Sequence, residues 1–340
     1  MSEIFYIHKD GLVLESGKRL EEVTIAYHTY GKLNAQKDNV IWVCHALTAN
    51  SDVFDWWSGL FGENDLFNPG EHFIVCANIL GSCYGSTGPL SIDPEKQQPY
   101  YHNFPQLTVR DLAAAHELLR QHLGIEKIRV LIGSSLGGMQ ALEWSLLLNG
   151  KLSNLVVLAS NARHSPWGIA FNESQRMAIK VDPTWLQSSD EAGKEGMKVA
   201  RSIALLSYRN YTTYHHSQLE QENGKTDDFR ASSYQQYQGE KLARRFNAYS
   251  YWQLSKIMDS HNLGRDRGGV SEALKKIQAR TLVIGVDSDQ IFPVDEQKEI
   301  AKGIPGAQYC EIHSLYGHDG FLLEQDKLTQ IIREFLNYRI

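Results

Sequence analysis

Short apolar runs recur along the chain and predict the strands of a buried sheet. Three occur early, at Val23–Tyr30, Val40–Cys44 and 73–80, and the last two are almost continuously apolar. Strands covered on both faces have this character, because neither face meets water. Comparable runs follow at 128–132, 155–158, 281–286 and 308–312.

Segments with helical character alternate with these strands. The clearest begins at Thr108, whose hydroxyl can cap the first turn with Asp111 three residues on, and ends at Gly124. A second covers 139–148. Strands that alternate with helices predict an α/β protein with a mostly parallel central sheet flanked by helices.

The pattern changes between about residues 165 and 273, where polar and aromatic residues interrupt the apolar runs. We predict a helical insertion here, with its best helices at 200–208 and 239–258 and a polar loop at 222–228. The sequence therefore predicts a core made of residues 1–164 and 274–340, covered by a helical lid at 165–273.

Composition and charge exclude several classes of protein. The 340 residues are 42% hydrophobic and 22% charged, as in an ordinary globular protein. A net charge of −6 gives no reason to expect a nucleic acid or an anionic membrane as partner. The N-terminus lacks a basic segment followed by an apolar one, and no apolar run approaches the roughly 20 residues that span a bilayer. We expect a soluble, cytoplasmic protein. Its four cysteines lack CxxC spacing and should be free thiols.

The strongest chemical signal is the hexapeptide Gly-Ser-Ser-Leu-Gly-Gly at 133–138. It follows a predicted buried strand and precedes a helix, which is the context of a GxSxG nucleophile elbow. Glycines at the first and last positions of the motif allow the close backbone approach of a sharp strand-to-helix turn. We predict Ser135 as a nucleophile rather than as part of a structural turn.

A serine nucleophile needs a base and an acid, which in this order of elements come later in the chain. Among thirteen histidines, His318 lies in a Gly-His-Asp-Gly loop after the strand at 308–312, and we predict it as the base. Two carboxylates, Asp287 and Asp289, follow the strand at 281–286. We favour Asp289, which stands further beyond the strand, and expect Asp287 to be a turn or cap residue.

The oxyanion formed in acyl transfer needs two hydrogen-bond donors. The amide of Leu136, directly after the nucleophile, is one candidate, and the amide of Leu47, in the loop after an early strand, is the other. His45 also closes that strand, but a lone histidine there is more typical of a hydrogen-bonded structural residue than of a base or metal ligand.

Further stretches carry a resemblance that spans nearly the whole chain. They are Ala26 to Gly31 (AYHTYG), His45 to Thr48 (HALT), Asn78 to Gly81 (NILG), Gly85 to Pro89 (GSTGP), Met139 to Trp144 (MQALEW), Phe171 to Glu173 (FNE), Tyr237 to Gly239 (YQG), and Tyr316 to Leu322 (YGHDGFL). With the elbow, these motifs resemble the homoserine O-acetyltransferase family of α/β-hydrolase-fold acyltransferases.

The resemblance implies both the machinery and the substrates. It implies the triad Ser135, Asp289 and His318, and oxyanion donors at the Leu47 and Leu136 amides. It also implies an amino-acid clamp formed by Arg201, Tyr208 and Asp319, for which Arg176 is a rival arginine. The expected reaction is ping-pong transfer of an acetyl group from acetyl-CoA, as co-substrate, to L-homoserine for methionine biosynthesis, with no bound cofactor and no metal. A homodimer, contacting through the lid, is expected too.

Several positions depart from the family pattern. Leu136 stands where methionine is common, Ala49-Asn50 where Gly-Asp is frequent, and Asn247 where the family has aspartate, while the segment 185–200 is short. These changes leave succinyl-CoA open as donor and serine open as acceptor. An esterase that uses the same triad also fits these residues, and a non-catalytic binding module could be built on the same fold.

Overall fold

The computed structural model describes residues 3–337 of the chain. Within them lie twelve strands, which in chain order are β1 (Ile4–His8), β2 (Leu12–Val13), β3 (Arg19–Leu20), β4 (Val23–Tyr30), β5 (Val40–Cys44), β6 (Phe73–Ala77), β7 (Ile92–Asp93), β8 (Gln98–Pro99), β9 (Ile128–Ser134), β10 (Leu152–Leu158), β11 (Arg280–Val286) and β12 (Gln308–Ile312). Eight of them form one sheet in the order β1-β4-β6-β5-β9-β10-β11-β12.

The sheet is antiparallel at one edge and parallel through the rest. Strand β4 pairs antiparallel with β1 and β6, whereas every pair from β6 to β12 is parallel. The predicted α/β class and mostly parallel sheet are confirmed. The N-terminal strand β1, which is largely exposed, was not predicted, because its apolar residues form no buried run.

Twelve α-helices surround this sheet in the described part of the chain. They are α1 (Val53–Trp56), α2 (Val109–His122), α3 (Leu136–Leu147), α4 (Pro166–Lys180), α5 (Lys194–Tyr208), α6 (Tyr211–Gln218), α7 (Arg230–Ala243), α8 (Ala248–Asp259), α9 (Val270–Leu274), α10 (Val294–Gly303), α11 (Gly320–Leu323) and α12 (Gln325–Leu336). Single 3₁₀ turns lie at Tyr101–Asn103 and Gly317–Asp319.

Alternate residues of the central strands enter two separate cores. In β5, Trp42 packs into a core shared with α2 and α3, while Ile41 and Val43 pack into a second core with α1 and α12. All three side chains are fully buried. The continuous apolar runs that predicted these strands therefore reflect a sheet covered on both faces.

Helices α4 to α9 lie between β10 and β11 and fill the region predicted as an insertion. The single helix predicted at 239–258 is wrong, because the chain forms two helices with a break at residues 244–247. Asn247 has extended backbone angles, and its side chain accepts a hydrogen bond from the Ser250 amide at 2.8 Å. This N-cap begins a new helix, and Asn caps as well as the family's aspartate does. The polar segment 222–228 is a loop, as predicted.

Strand register brings distant loops to one edge of the sheet. Cys44 pairs with Gly133, Ser134 with Leu158, and Val286 with Ile312. The segments that leave β5, β9, β11 and β12 therefore start side by side. In the part of the chain that the structure describes, all four cysteines are free thiols and no helix is long and apolar enough to cross a membrane.

Candidate active site

Ser135 occupies a strained turn between β9 and α3. Its φ of +55° and ψ of −125° place a non-glycine residue in a region that costs on the order of 1–3 kcal/mol. The Leu158 carbonyl accepts a hydrogen bond from its amide at 3.1 Å, and the Ser160 hydroxyl donates to its carbonyl at 2.8 Å. These contacts hold the conformation that presents the side chain at the N-terminus of α3.

The two glycines of the motif are sterically required. A Cβ on Gly133 would overlap the Gly137 carbonyl, and a Cβ on Gly137 would overlap the carbonyl of Cys44 at the end of β5. Backbone atoms of the elbow therefore contact one another and the end of the neighbouring strand β5. This is the physical reason for the glycine spacing from which the nucleophile was predicted.

His318 and Asp289 are joined by a short hydrogen bond. The ring Nδ1 lies 2.6 Å from Asp289 Oδ2, and both side chains are almost completely buried. Since a carboxylate only accepts, Nδ1 carries the proton, and Nε2 is left as the basic nitrogen. The other carboxylate oxygen accepts from the amides of Ile291 and Phe292, each at 2.9 Å.

Asp287 has different partners. Its carboxylate accepts from His313 Nδ1 at 2.6 Å and from the Ser314 amide at 3.1 Å. It thus ties the loop after β12 to the loop after β11, as a turn residue would. Of the two candidate acids, the structure places only Asp289 against His318.

Three aromatic rings surround the His318 imidazole. Phe292 stacks on it with centroids 5.0 Å apart, Phe321 meets it edge-on at 5.1 Å, and Tyr208 lies tilted at 5.8 Å. The first two are buried phenylalanines. Packing on several sides fixes the ring plane, so that Nε2 keeps one direction.

The loop after β5 places Leu47 beside the elbow. Within this loop His45 is fully buried, and burial lowers its pKa to about 4. Its Nε2 accepts from the Ile79 amide at 3.2 Å, so Nδ1 carries the proton and donates to the Ala46 carbonyl at 2.8 Å. A neutral histidine with both nitrogens engaged matches the structural role favoured from the sequence. The Leu136 amide belongs to the first turn of α3, whose N–H groups have no acceptor within the helix.

Ser135 and His318 line a cavity of about 190 Å³. The same cavity is lined by Leu47 and by the three residues implied as a substrate clamp, which are Arg201, Tyr208 and Asp319. Arg201 and Tyr208 reach it from α5, and the guanidinium lies 5.4 Å from the Tyr208 ring centroid. Burial raises the pKa of the Tyr208 hydroxyl, which therefore stays protonated and able to donate. Segments that follow β5, β9 and β12, together with helix α5, thus line this cavity.

The rival arginine, Arg176, lies elsewhere. Its side chain is 2% exposed and bonds the carboxylates of Glu173 at 2.6 Å and Asp259 at 2.5 Å, with Ser255 Oγ at 3.0 Å. Asn172 also donates to Asp259, at 2.9 Å. Arg176 is thus the centre of a network between α4 and α8 and is not among the residues that line the cavity of Ser135.

Two contacts at the site were not foreseen. Arg209 Nε lies 3.1 Å from Asp319 Oδ2, so one oxygen of the expected ammonium-binding carboxylate is already held by the insertion. Exposed Arg245 lines the cavity and donates to the Thr48 carbonyl at 2.6 Å and to the Tyr84 hydroxyl. No local motif marks either arginine, because both contacts join residues more than 100 positions apart.

Comparison with known proteins agrees with this arrangement. A model of the alpha/beta hydrolase fold matches residues 39–325. A homoserine O-acetyltransferase of Cyclobacterium marinum is 54% identical over 98% of this chain and 94% of its own. The crystal structure of homoserine O-acetyltransferase from Bacillus anthracis superposes with a TM-score of 0.91 at 22% identity, covering 100% of this chain and 98% of that one. Esterase E22 superposes with a TM-score of 0.89 at 20% identity over 98% and 99%. At these identities the structural matches establish only the fold.

Proposed function

This chain belongs to the homoserine O-acetyltransferase family of α/β-hydrolase-fold enzymes, and we propose that it moves an acetyl group from acetyl-CoA to the side-chain hydroxyl of L-homoserine. The product would be an activated homoserine ester of the kind that methionine biosynthesis consumes. The proposal rests on one cavity that is lined by a serine, by a histidine paired with a buried aspartate, and by groups suited to a zwitterionic amino acid.

The observation that best supports the proposal is that Arg201 has no carboxylate partner among the described residues. Within residues 3–337, no carboxylate lies within ion-pair distance of this half-buried guanidinium, although it lines the cavity of Ser135 and His318. A half-buried cation without a counter-charge has lost part of its hydration, and a substrate carboxylate would compensate for that loss through two parallel hydrogen bonds. Arg245 is less suited, because its side chain is exposed and its Nη1 already donates to Thr48 and Tyr84.

The first half-reaction acylates the enzyme. His318 Nε2 takes the proton of the Ser135 hydroxyl while Oγ attacks the thioester carbonyl of acetyl-CoA. The resulting oxyanion accepts from the amides of Leu47 and Leu136. When the C–S bond breaks, the imidazolium returns the proton to the leaving sulfur, and CoA departs as a thiol. Asp289 keeps the proton on Nδ1 throughout and stabilises the imidazolium.

The second half-reaction uses the same groups in the opposite direction. The homoserine hydroxyl gives its proton to His318 Nε2 and attacks the acyl-serine carbonyl. The bond to Ser135 Oγ breaks, and that oxygen recovers the proton. Arg201 would hold the carboxylate of homoserine and Tyr208 would donate to it. Asp319 would accept from the ammonium group through the oxygen that Arg209 does not engage.

Three other reactions could use the same triad, and they differ from the proposed one in their donor or acceptor. Water in place of homoserine would make the enzyme an esterase, succinyl-CoA would change the donor, and serine would change the acceptor. The structural likeness to an esterase shows that the fold does not decide among them. The acceptor clamp favours transfer, since hydrolysis needs no group that recognises an amino acid.

A matrix of donors and acceptors tests the proposal. Thiol release is followed with acetyl-CoA or succinyl-CoA, each with homoserine, serine or neither, and the acyl product is identified by mass. We expect a stoichiometric thiol burst with acetyl-CoA alone and sustained turnover when homoserine is added. Ser135→Ala should abolish both while remaining folded. Sustained turnover without any amino acid would indicate a hydrolase, and an absent burst in the wild type would refute the acyl-serine route.

A further inference from the structure

The two expected oxyanion donors lie on separate segments that are in direct backbone contact. Leu47 belongs to the loop after β5, and Leu136 begins α3. Gly137 lies against the carbonyls of Cys44 and His45, where even one added carbon would collide. The geometry of the oxyanion hole therefore depends on how firmly this loop is held against the helix.

Gln140 is the side chain that joins the two segments. It is fully buried on α3, and its Nε2 donates to the His45 carbonyl at 3.2 Å and to the Leu136 carbonyl at 3.1 Å. One amide group thus connects the residue two positions before Leu47 with the residue that supplies the other donor.

His116 fixes the orientation of that amide. Its Nε2 lies 2.9 Å from Gln140 Oε1, and since the amide oxygen only accepts, Nε2 carries the proton. Burial lowers the pKa of His116 to about 4, so the ring is neutral, and the contact with Gln140 Oε1 keeps its proton on Nε2. An amide whose oxygen is held in this way presents its NH₂ group to the two carbonyls and cannot flip.

His45 holds the same loop from the other side. It accepts from the Ile79 amide and donates to the Ala46 carbonyl, while its own carbonyl accepts from Gln140. The segment that carries Leu47 is thereby tied to the loop after β6 through one contact and to α3 through the other. Only the contact with α3 runs through a side chain that can be replaced without changing the loop.

We propose that Gln140 is a positioning residue for acyl transfer, which sets the spacing of the Leu47 and Leu136 amides by bridging the His45 and Leu136 carbonyls. This inference rests on the proposed function. Gln140 touches no substrate, and its effect should appear wherever an oxyanion forms. Both half-reactions pass through that oxyanion, so both should slow by the same factor.

The test replaces Gln140 by methionine, which keeps the length and volume but lacks the donors. Because removing one oxyanion donor costs about 10²- to 10³-fold, displacing one without losing it should slow the thiol burst roughly 10- to 100-fold. Deacylation by homoserine should slow equally, with KM for homoserine within about twofold of wild type. Gln140→Glu, which keeps the shape and an acceptor for His116 but no NH₂ group, should show the same pattern if the methionine variant folds poorly.

Gln175→Met provides the matched control. Gln175 is another buried glutamine, on α4, and its oxygen accepts from the Tyr251 hydroxyl at 2.6 Å. The Gln175→Met variant should be less stable than the wild type but should release thiol in the burst at the same rate. A burst within twofold of wild type in both Gln140 variants, loss in one half-reaction only, or an equal loss in Gln175→Met would overturn the proposal.

An activated ester separates failure of this inference from failure of the proposed function. The burst of nitrophenol from 4-nitrophenyl acetate needs Ser135 and the oxyanion hole but neither CoA nor homoserine. If the wild type is acylated by this ester and not by acyl-CoA, the proposed function fails, while the ratio of wild-type to Gln140→Met burst rates still decides the positioning role.

Discussion

Replacing Arg201 by alanine should separate the two half-reactions. The guanidinium lines the cavity without a carboxylate partner among the described residues, so its proposed role begins only when homoserine enters. Acylation of Ser135 by acetyl-CoA places no amino acid in the clamp. We therefore expect a burst of thiol at a rate close to that of the wild type, followed by slow turnover.

The expected loss of kcat/KM for homoserine follows from how deeply the contact of Arg201 is buried. Losing a buried, charge-assisted pair costs about 2–5 kcal/mol, and the half-buried state of Arg201 favours the lower part of that range. At roughly tenfold for each 1.4 kcal/mol, a loss of about 2–3 kcal/mol lowers kcat/KM for homoserine roughly 30- to 150-fold.

Arg176→Ala is the matched control for loss of an arginine. Its removal leaves the half-buried Asp259 without its cation, at a cost of up to about 3–5 kcal/mol of stability, the range for buried pairs. With an unfolding entropy of about 0.7 kcal/mol/K for a chain of this length, the melting midpoint should fall by roughly 4–7 °C. Below that midpoint the variant should use homoserine nearly normally.

Stopped-flow measurement of the thiol burst, with steady-state turnover at varied homoserine, distinguishes the possibilities. Equal losses in both phases for Arg201→Ala would mean that the residue supports the fold or the CoA site. No loss in either phase would make it a surface residue. If Arg176→Ala instead weakened homoserine use and kept its stability, the assignment of the two arginines would be reversed.

Four further results are expected. Asp289→Asn should lower turnover roughly 10⁴-fold because the His318 tautomer is lost, and Asp287→Asn should do much less; the opposite ranking in steady-state assays would reassign the acid. Gly137→Ala should sharply lower the urea midpoint, whereas Gly224→Ala, which meets nothing within 4 Å, should not. Burial raises the Glu296 pKa to about 7, so the cost of ionising this carboxyl in the folded state grows between pH 4.5 and about 7. After allowance for the partial exposure of Glu296, the free energy of unfolding of Glu296→Gln in urea should therefore exceed that of the wild type by about 1–2 kcal/mol at pH 8 and by little at pH 5. An equal gain at both pH values would exclude the charge of the carboxyl group as the cause. Sedimentation at micromolar protein should show a dimer, and a purely monomeric species would refute the expected lid-mediated homodimer.

The sequence predicted the strands well, because burial on both faces leaves a signal within each strand. Val23–Tyr30, Val40–Cys44 and Gln308–Ile312 match the observed bounds, whereas the run at 73–80 overshoots β6, which ends at Ala77. Residues 78–80 are buried without pairing in the ladder, and apolar character alone cannot distinguish the two states. The break between α7 and α8 was missed although Asn247, with its amide acceptor three residues before Ser250, is an N-cap signal.

Local sequence patterns could not predict contacts between residues that are distant in the chain. The Arg209–Asp319 pair and the bridge from Gln140 to His45 join positions 110 and 95 residues apart, and each uses a residue type that is ordinary on a helix surface. The candidates Ser135, Asp289 and His318 could be predicted from the sequence for a different reason. Each of these residues lies in the segment that follows a recognisable strand, and parallel strands bring their carboxyl ends to one edge of the sheet.

The division of the site between core and insertion explains why a triad alone does not identify the reaction. The proposed triad of Ser135, Asp289 and His318 lies in the segments that follow β9, β11 and β12, and such a triad would serve to cleave or form esters of many kinds. Arg201 and Tyr208 reach the same cavity from α5, between β10 and β11, and in the proposed mechanism they are the groups that favour an amino acid over water in the second half-reaction. If the core supplies the catalytic groups and α5 supplies the groups that bind the acceptor, substitutions on α5 should convert acetyl transfer into slow hydrolysis without preventing acylation.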